Sequence, residues 1–304
     1  MKQRVVTEYV LARTSRLGNR EINQDRLSVL ERDGYILMVL GDGLGGKAHG
    51  EIAAEELVNI ASERFEHAAL PMHNPGQFLH VTLKLAHAAV VKKGPSLDPP
   101  TTPATTAVLC LIQNGEAWWA HSGDSRLYLF RNGLSLYRTE DHSYVEALYQ
   151  QGQISLDKQK GHPMRSYLTQ CIGQTRDEPE LTVNKGVQLQ QDDVLLLCSD
   201  GLWEPLDDAQ LGAVLSEGQG SLLQGALDTL AERAEKNAYP HSDNVSAIAL
   251  RVTRLRDTDG SRDGEPAMRR EETGSPAAAP EDSLDRAIGE IETALNTWGK
   301  EMKK

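Results

Sequence analysis

Ile36-Leu37-Met38-Val39-Leu40-Gly41-Asp42-Gly43-Leu44-Gly45-Gly46 is the stretch that decides the fold. Its five apolar residues have the pattern of a strand buried on both faces. The run stops at an aspartate set among glycines. A carboxylate at the end of a buried strand is costly unless something cationic meets it. Glycines let backbone carbonyls and a ligand come close to that same point. Two readings are open on this stretch alone: Asp42 is a metal ligand, or it caps the helix that follows.

Three more places repeat the pattern. Val194-Leu195-Leu196-Leu197-Cys198-Ser199-Asp200-Gly201 is again a buried run ending in Asp-Gly. Ser122-Gly123-Asp124-Ser125-Arg126 lies between the runs 117–120 and 127–130, and Ser242-Asp243-Asn244 opens the run 245–250. Asp42 and Asp200 thus sit where strands end, and Asp124 and Asp243 where strands begin. In an antiparallel sheet, the ends and beginnings of neighbouring strands share one rim. Four carboxylates meeting there repel one another unless hard divalent cations neutralise them, and all-oxygen ligands point to magnesium or manganese rather than zinc.

Outward from this centre, the chain alternates hairpins with helices. Val5 to Arg13 reads as a strand, Arg20 to Asp25 as a polar turn, and Leu27 to Leu30 as a strand. Asp33-Gly34, Asn114-Gly115 and Asn132-Gly133 are hairpin signals, which make the strand pairings antiparallel. Apolar spacing predicts helices over Glu51–Ala69, Phe78–Val91, Ser143–Gln151, Ala209–Leu215 and Leu222–Lys236. Residues 93–103 hold four prolines and read as a loop. Long helices among antiparallel hairpins give a layered α+β domain.

At this point the sequence resembles the metal-dependent PP2C (PPM) family of protein serine/threonine phosphatases. The matching pieces are Arg20 with Asn23-Gln24-Asp25, Asp42-Gly43-Leu44-Gly45-Gly46, Gly123-Asp124-Ser125-Arg126, Ser199-Asp200-Gly201 and Asp243-Asn244, in the family's order and separations. The resemblance covers roughly residues 4 to 253, and five motifs in register are highly specific. It sharpens the fold to two packed antiparallel β-sheets flanked by helices, an α-β-β-α sandwich. It implies hydrolysis of phosphoserine and phosphothreonine in proteins by a metal-activated water.

By the same resemblance, Asp42 bridges two ions, Mn2+ or Mg2+. Asp200 and Asp243 complete the first site; the carbonyl of Gly43 and water-mediated contacts from Asp25 complete the second. Asp124 helps Asp200 hold a weaker third ion. Arg20 is the phosphate-binding residue, its planar fork suited to bidentate contact. Residues 141–173 look like a segment that bacterial members carry beside the active site, and Tyr144 to Thr169 is expected to be a mobile flap. The implied partners are phosphorylated proteins, with a bacterial serine/threonine kinase and its targets foremost. One position departs from the animal pattern: Leu44 stands where those members carry a histidine able to protonate the leaving oxygen. A metal-bound water is the expected donor, His49 being read as a surface helix residue and His121 as a structural strand residue.

Three rivals are weaker. Gly41-x-Gly43-x-x-Gly46 matches a dinucleotide fingerprint, but Asp42 within it opposes a pyrophosphate and Asp33-Gly34 signals a hairpin rather than a βαβ unit. Gly123-Asp124-Ser125 suggests a serine esterase, yet no base follows for Ser125. A pseudophosphatase acting as a binding module would have lost metal aspartates that are all present here.

Composition bounds the rest. The chain has 304 residues, 39% of them hydrophobic, and a net charge of −12, which argues against nucleic acid as the main partner. No apolar run approaches membrane-spanning length, and the N-terminus carries no signal-peptide pattern, so the expected location is cytoplasmic. Cys110, Cys171 and Cys198 lack Cys-x-x-Cys spacing and read as thiols. Composition divides the chain into a phosphatase-like domain over 1–254, a disordered linker over 255–282 and an amphipathic helix over 283–304. On that last segment Leu284, Ile288, Ile291, Leu295 and Trp298 fall on one stripe, a candidate surface for a partner or for self-association.

Overall fold

The computed structural model describes residues 5–44, 49–175, 177–217 and 222–257. The linker from residue 258 onward and the Ser283–Lys304 segment lie outside the described residues.

Two antiparallel sheets carry the fold. The first has five strands in the order β1 (Val5–Arg16), β11 (Val245–Asp257), β10 (Val194–Cys198), β6 (Arg126–Arg131) and β7 (Leu134–Arg138). The second runs β2 (Asp25–Arg32), β3 (Tyr35–Asp42), β4 (Ala107–Gln113), β5 (Glu116–Ser122) and β8 (Thr182–Val183), with β9 (Val187–Gln188) also pairing β5. The hairpins turn where the dipeptides mark them, all six residues of Asp33-Gly34, Asn114-Gly115 and Asn132-Gly133 having positive φ.

The continuous apolar runs are explained by burial on both faces. Along β3, Ile36, Met38 and Leu40 face the space between the sheets, where they meet Leu127 and Leu129 of β6, Leu195 and Leu197 of β10 and Ile248 of β11. The alternate residues Leu37 and Val39 face outward into a second layer under α1 (Gly50–His67) and α2 (Pro75–Lys93), against Leu57, Leu79 and Leu83. On the far side, Tyr128, Phe130 and Leu196 pack against α6 (Asp208–Glu217) and α7 (Leu223–Ala238), at Leu211, Leu227 and Leu230. The four layers are the α-β-β-α sandwich that the resemblance implied. A Leu→Ala change in the central layer costs ~2–5 kcal/mol, from lost transfer plus the cavity left behind.

Several elements differ from the sequence reading. The strand ending the described chain runs through Asp257, three residues past the composition change at Arg254, because its early partner β1 extends equally far: Val5 opposes Asp257. The strand β2 begins at Asp25, which the sequence placed in the preceding turn. Two four-residue helices, α4 (Leu156–Gln159) and α5 (Asp200–Trp203), and the two-residue strands β8 and β9 are additions. Of the helices foreseen, α3 (Tyr144–Gln150) is the short one, capped by the Ser143 hydroxyl, which accepts from the Glu146 N–H. Among the described residues no helix is long and apolar enough to cross a membrane.

Candidate active site

The aspartates meet where the two sheets face each other at one end. Asp25 and Asp42 are opposed residues of the β2–β3 pair, in one sheet. Asp200 opens α5 directly after β10, and Asp243 lies just before β11, in the other sheet. Asp124 sits in the turn by which the chain leaves β5 of one sheet and enters β6 of the other. The rim is therefore shared between two sheets, not built along one as the strand-end argument supposed. Together with Arg20, Gly43 and Leu44, the four residues Asp42, Asp124, Asp200 and Asp243 line a cleft of about 440 Å³.

Asp42 is fixed through its backbone. Its N–H donates to the Thr106 hydroxyl at 3.0 Å. Its carbonyl accepts from the Thr106 N–H at 2.8 Å and from the Thr105 hydroxyl at 2.9 Å. The next residue, Gly43, donates to the Gln24 carbonyl at 3.2 Å. A Cβ on Gly43 would lie 2.4 Å from the Gly50 carbonyl, so the strand end and the start of α1 can meet there only without a side chain. Gly201 does the same on the other sheet: a Cβ would fall 2.0 Å from the Asn244 carbonyl. That close approach holds Asp200 beside Asp243.

Two hydrogen-bonding residues complete the frame, and the sequence reading gave neither a role. The Ser199 hydroxyl donates to Oδ2 of Asp25 at 2.9 Å, linking the sheets across the floor. The Asn244 side chain accepts from the Gln24 N–H at 2.9 Å and donates to the carbonyls of Leu17 and Ile22 at 2.9 and 3.1 Å. It thereby pins the loop carrying Arg20 against the start of β11. Their signal was visible only as neighbours: each flanks a motif aspartate.

The electrostatics are those of a cation site. Burial first, and then Asp25, Asp200, Asp124 and Asp243, hold the Asp42 carboxyl well above the ordinary carboxylate range. Asp200 is raised likewise, by burial and then by Asp124, Asp243 and Asp25. Burial is also the main cause at Asp25, pushed up to about 6, and at Asp124, pushed up to about 7 with Asp141 adding to it. Oδ1 of Asp25 and Oδ1 of Asp200 are buried and accept no hydrogen bond. Such orphaned oxygens cost free energy unless a positive ligand meets them. Asp243 differs: Arg20 Nη2 donates to its Oδ2 at 2.6 Å and the Asn244 N–H to its Oδ1 at 2.7 Å. As the side chains stand, no three carboxylates, imidazoles or thiols among the described residues close into one coordination group. The donor set is nonetheless hard oxygen throughout, with two unsatisfied oxygens, and it fits magnesium or manganese.

The remaining residues fall into place around the cleft. Leu44 packs against Ala104, Leu168 and Cys171 and has itself no proton to give. His49 Nδ1 lies 3.7 Å from Glu51. His121 is buried, its Nε2 2.8 Å from the Glu140 carbonyl, and its ring stacks on His142 with centroids 4.6 Å apart. Ser125 shares a 2.6 Å hydrogen bond with the Thr106 hydroxyl and has no imidazole partner, which removes the esterase reading. The antiparallel partners of β3 on both sides remove the dinucleotide reading. Residues 142–169 return to their starting point: the Tyr144 N–H donates to the Tyr167 carbonyl at 2.9 Å and the Thr169 N–H to the His142 carbonyl at 2.8 Å. Ser166, Tyr167 and Leu168 form the flap's side of the cleft.

The protein phosphatase 2C family model matches residues 13–238. The serine/threonine phosphatase stp of Listeria innocua is 29% identical over 247 residues, spanning 78% of this chain and 93% of that protein. Stp1 of Staphylococcus aureus superposes with a TM-score of 0.74 at 26% identity, over 83% of this chain and 98% of that one. The catalytic domain of the serine/threonine phosphatase PstP, solved with 2 manganese ions, matches with a TM-score of 0.66 at 25% identity, over 82% of this chain and all of that one. With the family matched over most of its length, the chain belongs to the protein phosphatase 2C family and is a metal-dependent protein serine/threonine phosphatase.

Proposed function

We propose that the aspartate-lined cleft is where phosphoserine and phosphothreonine are hydrolysed, and that it holds two divalent cations. The carrying observation is the pair of buried, unpartnered oxygens, Oδ1 of Asp200 in the cleft lining and Oδ1 of Asp25 buried outside it, among carboxylates that raise one another's pKa. Asp42 is assigned to both ions. Asp200 and Asp243 are assigned to the first, and the Gly43 carbonyl and Asp25 to the second. Asp124 with Asp200 is the weaker third site. Ions held there would lower the pKa of a bound water toward neutrality and offset the phosphoryl charge.

The chain's own groups do the rest. Arg20, 52% exposed in the lining of the cleft with its guanidinium on Asp243, orients the phosphate. The hydroxyls of Thr105 and Thr106 keep the Asp42 backbone from shifting, so its carboxylate stays aimed into the cleft. The described lining of the cleft includes no imidazole, and a water in it is the donor proposed for the leaving serine or threonine oxygen.

The finer substrate reading is a serine/threonine kinase and that kinase's targets. It is supported by the relatives named as serine/threonine phosphatases. Manganese is favoured over magnesium on the strength of the PstP neighbour. Calorimetric titration of the protein with Mn2+ and with Mg2+ tests the assignment. Two tight sites are expected, with Asp124→Ala removing only a weaker third event. A single site, or an Asp200→Ala variant that still takes up both ions, refutes it.

A further inference from the structure

A second pocket of about 240 Å³ adjoins the catalytic cleft and shares Asp124, Ser166 and Asp200 with it. Apart from those shared residues, its lining has no part in the proposed chemistry. One wall comes from the flap, with Val145 of α3 and Leu156 of α4. The other comes from Trp203 of α5 and Leu206 just beyond it. Val145 and Leu206 are buried, whereas Leu156 is 55% exposed at the mouth, an unusual position for a leucine with a pocket beneath it.

Most of the charges around this pocket are matched; Asp124 and Asp200, which it shares with the cleft, are the ones assigned to cations there. Arg126 forks onto Asp141 with bonds of 2.8 and 2.7 Å and lies over the Trp203 ring, 3.4 Å from its centroid. Arg165 meets Glu204 at 2.6 Å, and Arg138 lies 3.6 Å from Asp208. Asp207 accepts from the Gln210 N–H at 2.8 Å, at the start of α6. Among the described residues, Lys160 is the one cation of the lining outside an ion pair, and it stands exposed. With Asp124 and Asp200 given to cations, a basic side chain entering here would shed water for carboxylates already bonded, and an acidic one would find only the exposed Lys160. An apolar one would lose nothing and would cover Leu156 and Trp203.

We propose that this pocket is a specificity subsite that receives an aliphatic or aromatic side chain of the phosphoprotein, close in sequence to the phosphorylated residue. The proposal rests on the catalytic reading of the adjoining cleft, since continuity with it identifies the occupant as the same substrate. Leu156 is the specificity-determining residue at the mouth, and the flap and α5 form the walls.

The test is a set of phosphothreonine peptides in which each flanking position in turn carries Leu, Phe, Ala, Lys or Glu, assayed with Mn2+ beside p-nitrophenyl phosphate. At one flanking position Leu or Phe should raise kcat/KM by about tenfold over Ala, the scale on which an apolar pocket discriminates. Leu156→Asp, a change at an exposed site, should erase that preference and leave p-nitrophenyl phosphate turnover unchanged; Leu156→Met should keep the preference. Equal rates at every flanking position, or a preference that survives Leu156→Asp, overturns the subsite alone. Failure to hydrolyse the small ester overturns the catalytic reading, and the subsite with it.

Discussion

Asp42 is held by three hydrogen bonds with Thr105 and Thr106, whereas Tyr167, on the opposite side of the same cleft, is 54% exposed and tied by its backbone to Tyr144 and Met164 and by a ring edge to Tyr144. The aspartate rim stands on paired strands of two sheets. The flap stands on two short helices and its own closing bonds, with Tyr144, Tyr149, Leu156, Met164 and Tyr167 all exposed. Groups that must converge on one phosphoryl centre need placement to a fraction of an ångström, which a packed sheet supplies. Side chains that meet varied protein surfaces are better carried on exposed loops. The proposed cation site and the proposed subsite thus divide chemistry from selection across a single cleft.

The largest effect that can break this comparison is on the rim. Asp42→Ala or Asp200→Ala should lower kcat by ~10³-fold or more, roughly 4 kcal/mol of barrier. Metal-free thermal stability should hold or rise, because a mutually repelling carboxylate is gone. A variant that loses activity by unfolding would make these aspartates structural. Next comes Arg20→Ala, expected to raise KM for phosphopeptides by about tenfold with a smaller change in kcat, as for charge recognition common to ground and transition states. An unchanged KM returns Arg20 to the surface.

The flap should show the smaller chemical effect. Replacing residues 156–162 by a Gly-Ser linker should alter peptide selectivity while small-ester turnover stays within about tenfold, ~1.4 kcal/mol. Loss of both together would mean that rim and flap are one unit.

The smallest expected effect is on stability. Asp25 and Asp124 hold their protons to about 6 and about 7 when folded and metal-free, and an unfolded aspartate releases its proton lower. Between those limits the folded state binds more protons, so stability in EDTA should fall as pH rises from about 4 to about 7. Added Mn2+ should restore most at the upper end. A melting temperature in EDTA that climbs over this range would show that the rim is not self-repelling.

How much of this was legible in the sequence follows the same division. Asp42, Asp124, Asp200 and Asp243 were legible together, because four aspartates at the ends of apolar runs repeat one pattern, whereas Asp25 was picked out only by the resemblance. The central strands were legible as unbroken apolar runs, since both faces of β3 are covered. That the rim bridges two sheets was not, because strand pairing between distant segments leaves no local mark. Ser199 and Asn244 act through contacts across 174 and 220 residues of chain, and nothing near them in sequence signals that. In the flap, α4 is four residues long and shows no helical period, and β8 and β9 are too short to alternate. Leu156 and Trp203 come together only in the fold.

The central claim is that the rim works through cations held by its aspartates. Its most direct test is hydrolysis of a phosphothreonine peptide by the wild-type chain and by Asp42→Ala, first in excess EDTA and then across an Mn2+ titration. The account predicts no turnover in EDTA, full recovery for the wild type as Mn2+ is added, and no recovery for Asp42→Ala at any concentration. Full turnover in EDTA, or an Asp42→Ala chain restored by Mn2+ to the wild-type rate, would contradict it.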